Sequence, residues 1–295
     1  MPNKQKQFGD FEPEYTNPDT AVISILPVLY DGSSTWIKGA DKGPGAILVA
    51  SCNLEFYDIE TDSEVFRRGI FTESSVDGVD TPEEIAAVVR QRMTALLDKN
   101  KFPVIIGGEH SVSIGAFEAM AAKYDDLTIL QLDAHADLRD EYNGSRYNHA
   151  CVMARAKEFA PIVQVGVRSM DTCEKKNMDI ERVFFAHDIC NSPKGEWIER
   201  VVSLLGENVY LSIDLDVFDP SIMPATGTPE PGGLGWYDVA ALIKAVCKAR
   251  NLTGFDIVEL CPRENLWSCD FLADKLLYKT LSYKFCLGTQ AQCLQ

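Results

Sequence analysis

Short β-branched runs alternate with longer helical patterns along most of this chain, and that alternation restricts it to βαβ units around a mostly parallel sheet. Strands are expected at 21–28, 103–108, 127–135, 162–168, 183–187, 209–216 and 252–260. Between them, Thr81 supplies an N-cap, Pro82 the first helical position, and Glu83 and Glu84 acidic charge in the first turn. That helix is expected to reach about Lys99, with others near 111–124, 146–159, 194–206, 236–250 and 270–285. No internal repeat, linker or low-complexity tract breaks the series. With 295 residues, 46% of them hydrophobic, the chain has the apolar material for one large core. The expected fold is therefore α/β: a single three-layer domain with a mostly parallel central sheet flanked by helices. A polar N-terminal arm over 1–20 leads into this domain, which takes in 21–295.

Charge and cysteine usage exclude several classes of function. The 44 acidic residues against 28 basic ones give a net charge of −16, which repels nucleic acid and anionic membrane surfaces and mildly attracts cations. A cationic small molecule or a metal is the expected partner. The first 20 residues have no apolar core of a signal peptide, and the longest apolar runs are strand-sized, so no membrane span is expected. The nine cysteines are scattered without CxxC spacing, which points to reduced thiols and a cytoplasmic location.

Chemistry is concentrated at the carboxyl ends of three expected strands. Asp133, His135 and Asp137 alternate at a period of two, which in extended chain aims all three side chains at one face. Asp214 and Asp216 repeat that spacing in LSIDLDVFDP, where two carboxylates in an apolar setting repel one another unless a cation neutralises them. His110 follows PVIIGGE, at a strand end terminated by Gly107 and Gly108. Parallel strands deliver such ends to one crevice, where α/β proteins bind ligands. Four carboxylates and two imidazoles without a cysteine suit Mn²⁺, or else Fe²⁺, Co²⁺, Ni²⁺ or Zn²⁺. Six ligands exceed the needs of one ion, and two ions sharing them point to metal-assisted hydrolysis. The Gly/Pro-rich segment 223–235 is long for a connection and reads as a loop that forms part of the site.

The segments GGEHS (107–111), DAHADLR (133–139), NHACVM (148–153), SIDLDVFDP (212–220), GTPEPGG (227–233) and FDIVEL (255–260) occur in the order seen in the ureohydrolases, which include arginases and agmatinases. With KGPGAI (42–47) and LEFYD (54–58), the resemblance covers nearly the whole chain. It implies an arginase-like fold and two Mn²⁺ per subunit. It also implies that His110 and Asp137 bind the first ion and His135 and Asp216 the second, with Asp133 and Asp214 bridging. A hydroxide between the ions would attack the guanidinium carbon, Asp137 would help protonate the departing amine, His149 matches the family's proton-shuttle histidine, and Glu259 matches the carboxylate that hydrogen-bonds the guanidinium. The family also implies a homo-oligomer, a trimer or hexamer.

Beyond Asp137, arginases carry a polar segment that grips the substrate's α-carboxylate and α-amino groups, whereas this chain reads LRDEYNGSRYN, with Arg139 in place of an asparagine. That wording resembles agmatinases and implies agmatine as substrate, with putrescine and urea as products. Alternatives are another guanidino compound (guanidinobutyrate, guanidine or an arginine relative), a two-metal phosphoesterase, or a catalytically dead homologue used as a binding module. Asp140 and Glu141 could attract a cationic substrate, or be solvated or paired with Arg139 and Arg146. Glu259 has Arg263 as a possible internal partner, and His187, outside every motif, reads as structural or solvent-facing. Leu48 replaces a frequent arginine and Ala136 a frequent threonine, departures that bear on the tuning of the ligands and on substrate fit.

Overall fold

The computed structural model describes residues 6–193 and 195–288. The outermost parts of the expected arm and domain, 1–5 and 289–295 with Cys293, and the first position of the 194–206 helix lie outside the described residues.

In chain order the elements are β1 (Ile23–Val28), α1 (Gly43–Ala50), β2 (Ile70–Thr72), α2 (Pro82–Asp98), β3 (Phe102–Gly107), α3 (Ile114–Lys123), β4 (Leu127–Leu132) and α4 (Val152–Ala156). There follow β5 (Ile162–Val167), β6 (Val183–Phe185), α5 (Ala186–Asn191), α6 (Glu196–Ser203), β7 (Asn208–Asp214), α7 (Trp236–Ala249), β8 (Asn251–Val258) and α8 (Trp267–Leu287). All strands pair in parallel in the order β2-β1-β3-β8-β7-β4-β5-β6.

Helices cover both faces, and the long strands are accordingly buried on both sides. Val104, Ile106, Leu211 and Ile213 face one layer of core with Ile47 of α1, Val201 of α6, Val246 of α7 and Leu277 of α8. Ile105, Ile129 and Tyr210 face the other, against Val89 of α2, Phe117 of α3 and Val152 of α4. The alternation along β3 and β7 is the period of two of an extended chain, so one strand feeds two cores. Thr81 caps α2 by accepting from the Glu84 N–H at 3.2 Å, a contact worth about 1 kcal/mol. From the N-terminal arm, Phe8 is fully buried, and the Gln7 side chain hydrogen-bonds the Thr72 backbone.

Several local expectations are corrected. β4 ends at Leu132 and β7 at Asp214, so the carboxylates lie at and beyond the strand ends rather than within extended chain. Expected helix 146–159 reduces to a 3-10 turn at His149–Cys151 and the short α4. Expected strand 183–187 stops at Phe185, where α5 begins. α1, β2 and α5 had no counterpart in the sequence reading: GPGAILVA has no polar face to show a helical period, and β2 is only three residues long.

Candidate metal centre and substrate cavity

The four central strands β3, β8, β7 and β4 end side by side, and the candidate residues follow directly from those ends. After β3 the chain must pass close to Tyr30. A Cβ on Gly108 would sit 1.9 Å from the Tyr30 carbonyl oxygen, so only glycine fits. Glu109 then caps a 3-10 turn through the Ser111 N–H, and that turn presents His110. After β4, Asp133 accepts from the His135 N–H at 2.6 Å, and Asp137 adopts a left-handed backbone with φ 51°. The Asp137 carbonyl receives the Met153 and Ala154 N–H groups, which ties this strained corner to the start of α4. After β7, Asp214 accepts from the Asp216 N–H at 2.9 Å across a 3-10 turn. Convergence of the three DxHxD side chains thus comes from this folded turn and not from an extended period of two.

Two donor clusters result, His110 with Asp133 and Asp137, and Asp133 with His135 and Asp216. His110 Nδ1 lies 3.1 Å from Asp133 Oδ2, 3.1 Å from Asp137 Oδ2 and 3.5 Å from Asp214 Oδ2. His135 Nδ1 lies 2.9 Å from Asp216 Oδ2 and 3.5 Å from Asp133 Oδ1. Asp133 therefore offers one oxygen to each cluster, as a bridging carboxylate must.

Hydrogen-bond accounting shows that this donor set fits divalent cations. Ser212 donates its single hydroxyl proton to Asp256 Oδ1 at 2.7 Å, so at the 3.0 Å contact with His110 it accepts, and His110 Nε2 carries the ring hydrogen. In the neutral imidazole Nδ1 is then left as a lone pair among three carboxylates, buried and without a hydrogen bond. An orphaned imidazole nitrogen facing only anions is the arrangement in which a metal ion is the natural partner. Electrostatics agree. Burial, then Asp133, pushes Asp137 up to about 7, and burial, then Asp216, raises Asp214 well above the carboxylate range. Burial opposes charge on both Asp133 and His110, but their mutual attraction outweighs it, holding the carboxyl low and the imidazole high, so that without a cation a proton stands between them where an ion would sit.

A cavity of about 270 Å³ opens over these groups and is lined by His110, His135, Asp137, Asp214, Asp216, His149 and Glu259. Asn148 accepts from the Ala150 N–H and caps the turn that carries His149. Burial pushes the His149 imidazole down to about 4. Glu259 is also left-handed at φ 66°, donates its N–H to the Gly108 carbonyl at 2.7 Å, and accepts from the His110 N–H at 2.9 Å. Arg263 does not pair with it and donates to the Thr226 carbonyl at 3.0 Å. Among the described residues no cationic side chain lies within ion-pair distance of Glu259, and burial, then Glu109, raises its carboxyl well above the usual range.

On the outer wall Asp140 has partners, though neither Arg139 nor Arg146 is one of them. Asp140 pairs with Lys176 and Asn177 at the surface, and Arg146 with Glu158. Arg139 stacks over the Tyr142 ring at 4.6 Å, with Asp171 at 3.5 Å and Glu174 at 3.9 Å, which offsets its charge inside the cavity. His187 is exposed beside Phe185, and Leu48 and Ala136 are buried. The 223–235 loop contributes Thr228 to the cavity and is pinned by Arg168, which donates to the Glu230 carbonyl at 2.8 Å, to that of Pro231 at 3.1 Å and to that of Asp216 at 2.7 Å.

Arg168, Ser33, Glu109, Ser212 and Asp256 were not singled out from the sequence. The readable signal for Ser212 and Asp256 is a polar residue inside a strand buried on both faces. Nothing local marks Ser33 or Arg168.

All eight described cysteines are free. No helix among the described residues is long and apolar enough to cross a membrane.

The "Arginase family" model matches residues 21–282. The N(1)-aminopropylagmatine ureohydrolase of Synechocystis sp. is 35% identical over 96% of this chain and 96% of its own. The agmatinase of Pyrococcus horikoshii is 35% identical, covering 86% of this chain and 89% of its own. The solved structure of the agmatine ureohydrolase of Thermoplasma volcanium superposes with a TM-score of 0.86 at 30% identity, over 95% of this chain and 94% of that one. On this family match and these identities over nearly the whole chain, the chain belongs to the arginase family and is an amidinohydrolase.

Proposed function

We propose that this amidinohydrolase cleaves the guanidinium group of agmatine, giving putrescine and urea, with two Mn²⁺ ions per subunit. The observation that carries this reading is Glu259, a carboxylate on the cavity wall beside both donor clusters and without a cationic partner among the described residues. His110, Asp133 and Asp137 would hold one ion, Asp133, His135 and Asp216 the other, and Asp214 would join them from the His110 side. When bound, the ions supply a water activated for attack at neutral pH.

The chain's own residues account for the remaining steps. Glu259 accepts guanidinium N–H groups and so orients the carbon over the clusters, a planar donor fork meeting a carboxylate. As water adds to that carbon and the bond to the alkyl nitrogen breaks, Asp137 returns a proton to the leaving amine. Asp137 lines the cavity where the leaving amine would form, which suits that role. His149 moves protons between the cavity and solvent.

A second reading, agmatine carrying an aminopropyl extension, is favoured by the name of the Synechocystis relative, and the cavity wall that would meet the extension carries Asp171 and Glu174 beside Arg139. Urea release by Mn²⁺-loaded protein from agmatine, N1-aminopropylagmatine, arginine, guanidinobutyrate and guanidine, run in parallel, separates these. The largest kcat/KM on agmatine upholds the first reading, and on the aminopropyl compound the second. Release only from a guanidine with a carboxylate tail refutes both.

A further inference from the structure

The geometry points to Ser33 and Glu109 as positioning residues that lock His149 in one tautomer, leaving its Nε2 as the proton-accepting atom. This rests on the reading of His149 as proton shuttle. Ser33 lies on the loop after β1, 116 residues before His149, and its Oγ lies 2.8 Å from Glu109 Oε2. Glu109 is completely buried, and three donors converge on its two oxygens: the Ser33 hydroxyl, the Ser111 hydroxyl at 2.5 Å and the Ser111 N–H at 3.3 Å.

A serine has one hydroxyl proton and two lone pairs. With that proton given to Glu109, both remaining contacts of Ser33 Oγ must be received. One comes from the His149 backbone N–H at 2.9 Å, and the other is the His149 Nδ1 contact at 3.2 Å. Nδ1 therefore carries the ring hydrogen, and Nε2 keeps its lone pair. Glu109 does not hold the imidazole directly, since its Oε2 is 3.9 Å from Nδ1, so Ser33 transmits the constraint. The Tyr142 ring meets the imidazole edge-on at 6.4 Å between centroids.

The same device appears at the metal centre with the opposite outcome. There Ser212, its proton spent on Asp256, fixes the hydrogen of His110 on Nε2 and frees Nδ1. Two serines, each committed to a buried carboxylate, thus set two histidines in opposite tautomers, one for holding metal and one for moving protons.

The test is a double-variant cycle in the Mn²⁺-loaded enzyme on its best guanidine substrate. Ser33→Ala is expected to lower kcat about tenfold with KM and metal content unchanged, and Ser33→Thr, which keeps the hydroxyl, to restore most of it. In a His149→Asn background, Ser33→Ala is expected to cost nothing further. An equal loss in both backgrounds, or no loss in the single variant, overturns the proposal. If His149→Asn itself keeps wild-type kcat, the shuttle reading fails instead, and the two failures are distinct. A measurement independent of turnover is ¹⁵N NMR of histidine-labelled protein loaded with diamagnetic Zn²⁺. It is expected to place the His149 proton on Nδ1 in the wild type and to show a mixture in Ser33→Ala. A proton on Nε2 in the wild type also overturns the assignment.

Discussion

His110 Nδ1 stands 3.1 Å from Asp133 Oδ2, buried and without a hydrogen bond, while the other oxygen of Asp133 faces His135. One carboxylate thereby joins two clusters, and removing it dismantles both. If the proposed pair of ions is right, Asp133→Ala is expected to bind neither, seen as metal content near zero by elemental analysis and as no thermal stabilisation on adding Mn²⁺, in contrast to the wild type. Retention of one full equivalent of metal would show that the clusters are independent.

Glu259 makes the opposite case, because it touches the metal centre only through the backbone N–H of His110. Glu259→Gln keeps an acceptor for that N–H and removes the charge that would meet a guanidinium. Metal content is expected to stay at the wild-type level while kcat/KM for the guanidine falls at least about 100-fold. A parallel loss of metal would move Glu259 from substrate binding to the metal centre.

How far this site can be read from the sequence depends on the range of the interaction. Asp133, Asp214 and His110 are legible because charged groups at the ends of apolar strands have no packing use, and a parallel sheet brings such ends together. Their convergence was placed in extended chain, whereas β4 stops at Leu132 and the left-handed Asp137 folds its side chain back. A strand pattern continues into DAH, and nothing in those letters marks a change of backbone conformation. α1 was missed because its GPGAILVA run packs without a polar face. Ser33 and Arg168 act across 116 and up to 63 residues respectively, and no local pattern encodes such pairings.

Arg168 braces the cavity wall from behind through backbone carbonyls. Its guanidinium ties the end of β5 to the Asp216 carbonyl and to the 223–235 loop through Glu230 and Pro231. Lysine keeps the charge but replaces a planar fork with one ammonium, which cannot span those carbonyls together. Arg168→Lys is expected to weaken metal affinity about tenfold and to lower the melting temperature, with Glu259-dependent substrate binding less affected. Titration of Mn²⁺ by calorimetry decides this. Unchanged affinity would limit Arg168 to holding the loop.

Far from the cavity, Asp274 on α8 is fully buried, and neither of its oxygens has a hydrogen-bond partner. Burial pushes its carboxyl up to about 8 from an ordinary 3.8. The folded protein therefore keeps this proton where the unfolded chain releases it. As pH rises from about 4 to about 8, the unfolded state is increasingly favoured, and the loss levels off above about 8. Asp274→Asn, neutral at every pH, is expected to melt higher than the wild type at pH 8, on the order of 5 °C or more, and to match it near pH 4. Metal released at low pH leaves both proteins alike, so the difference between the two melting curves isolates Asp274. A constant offset across the whole range would instead mean that the amide changes packing rather than removing a titration.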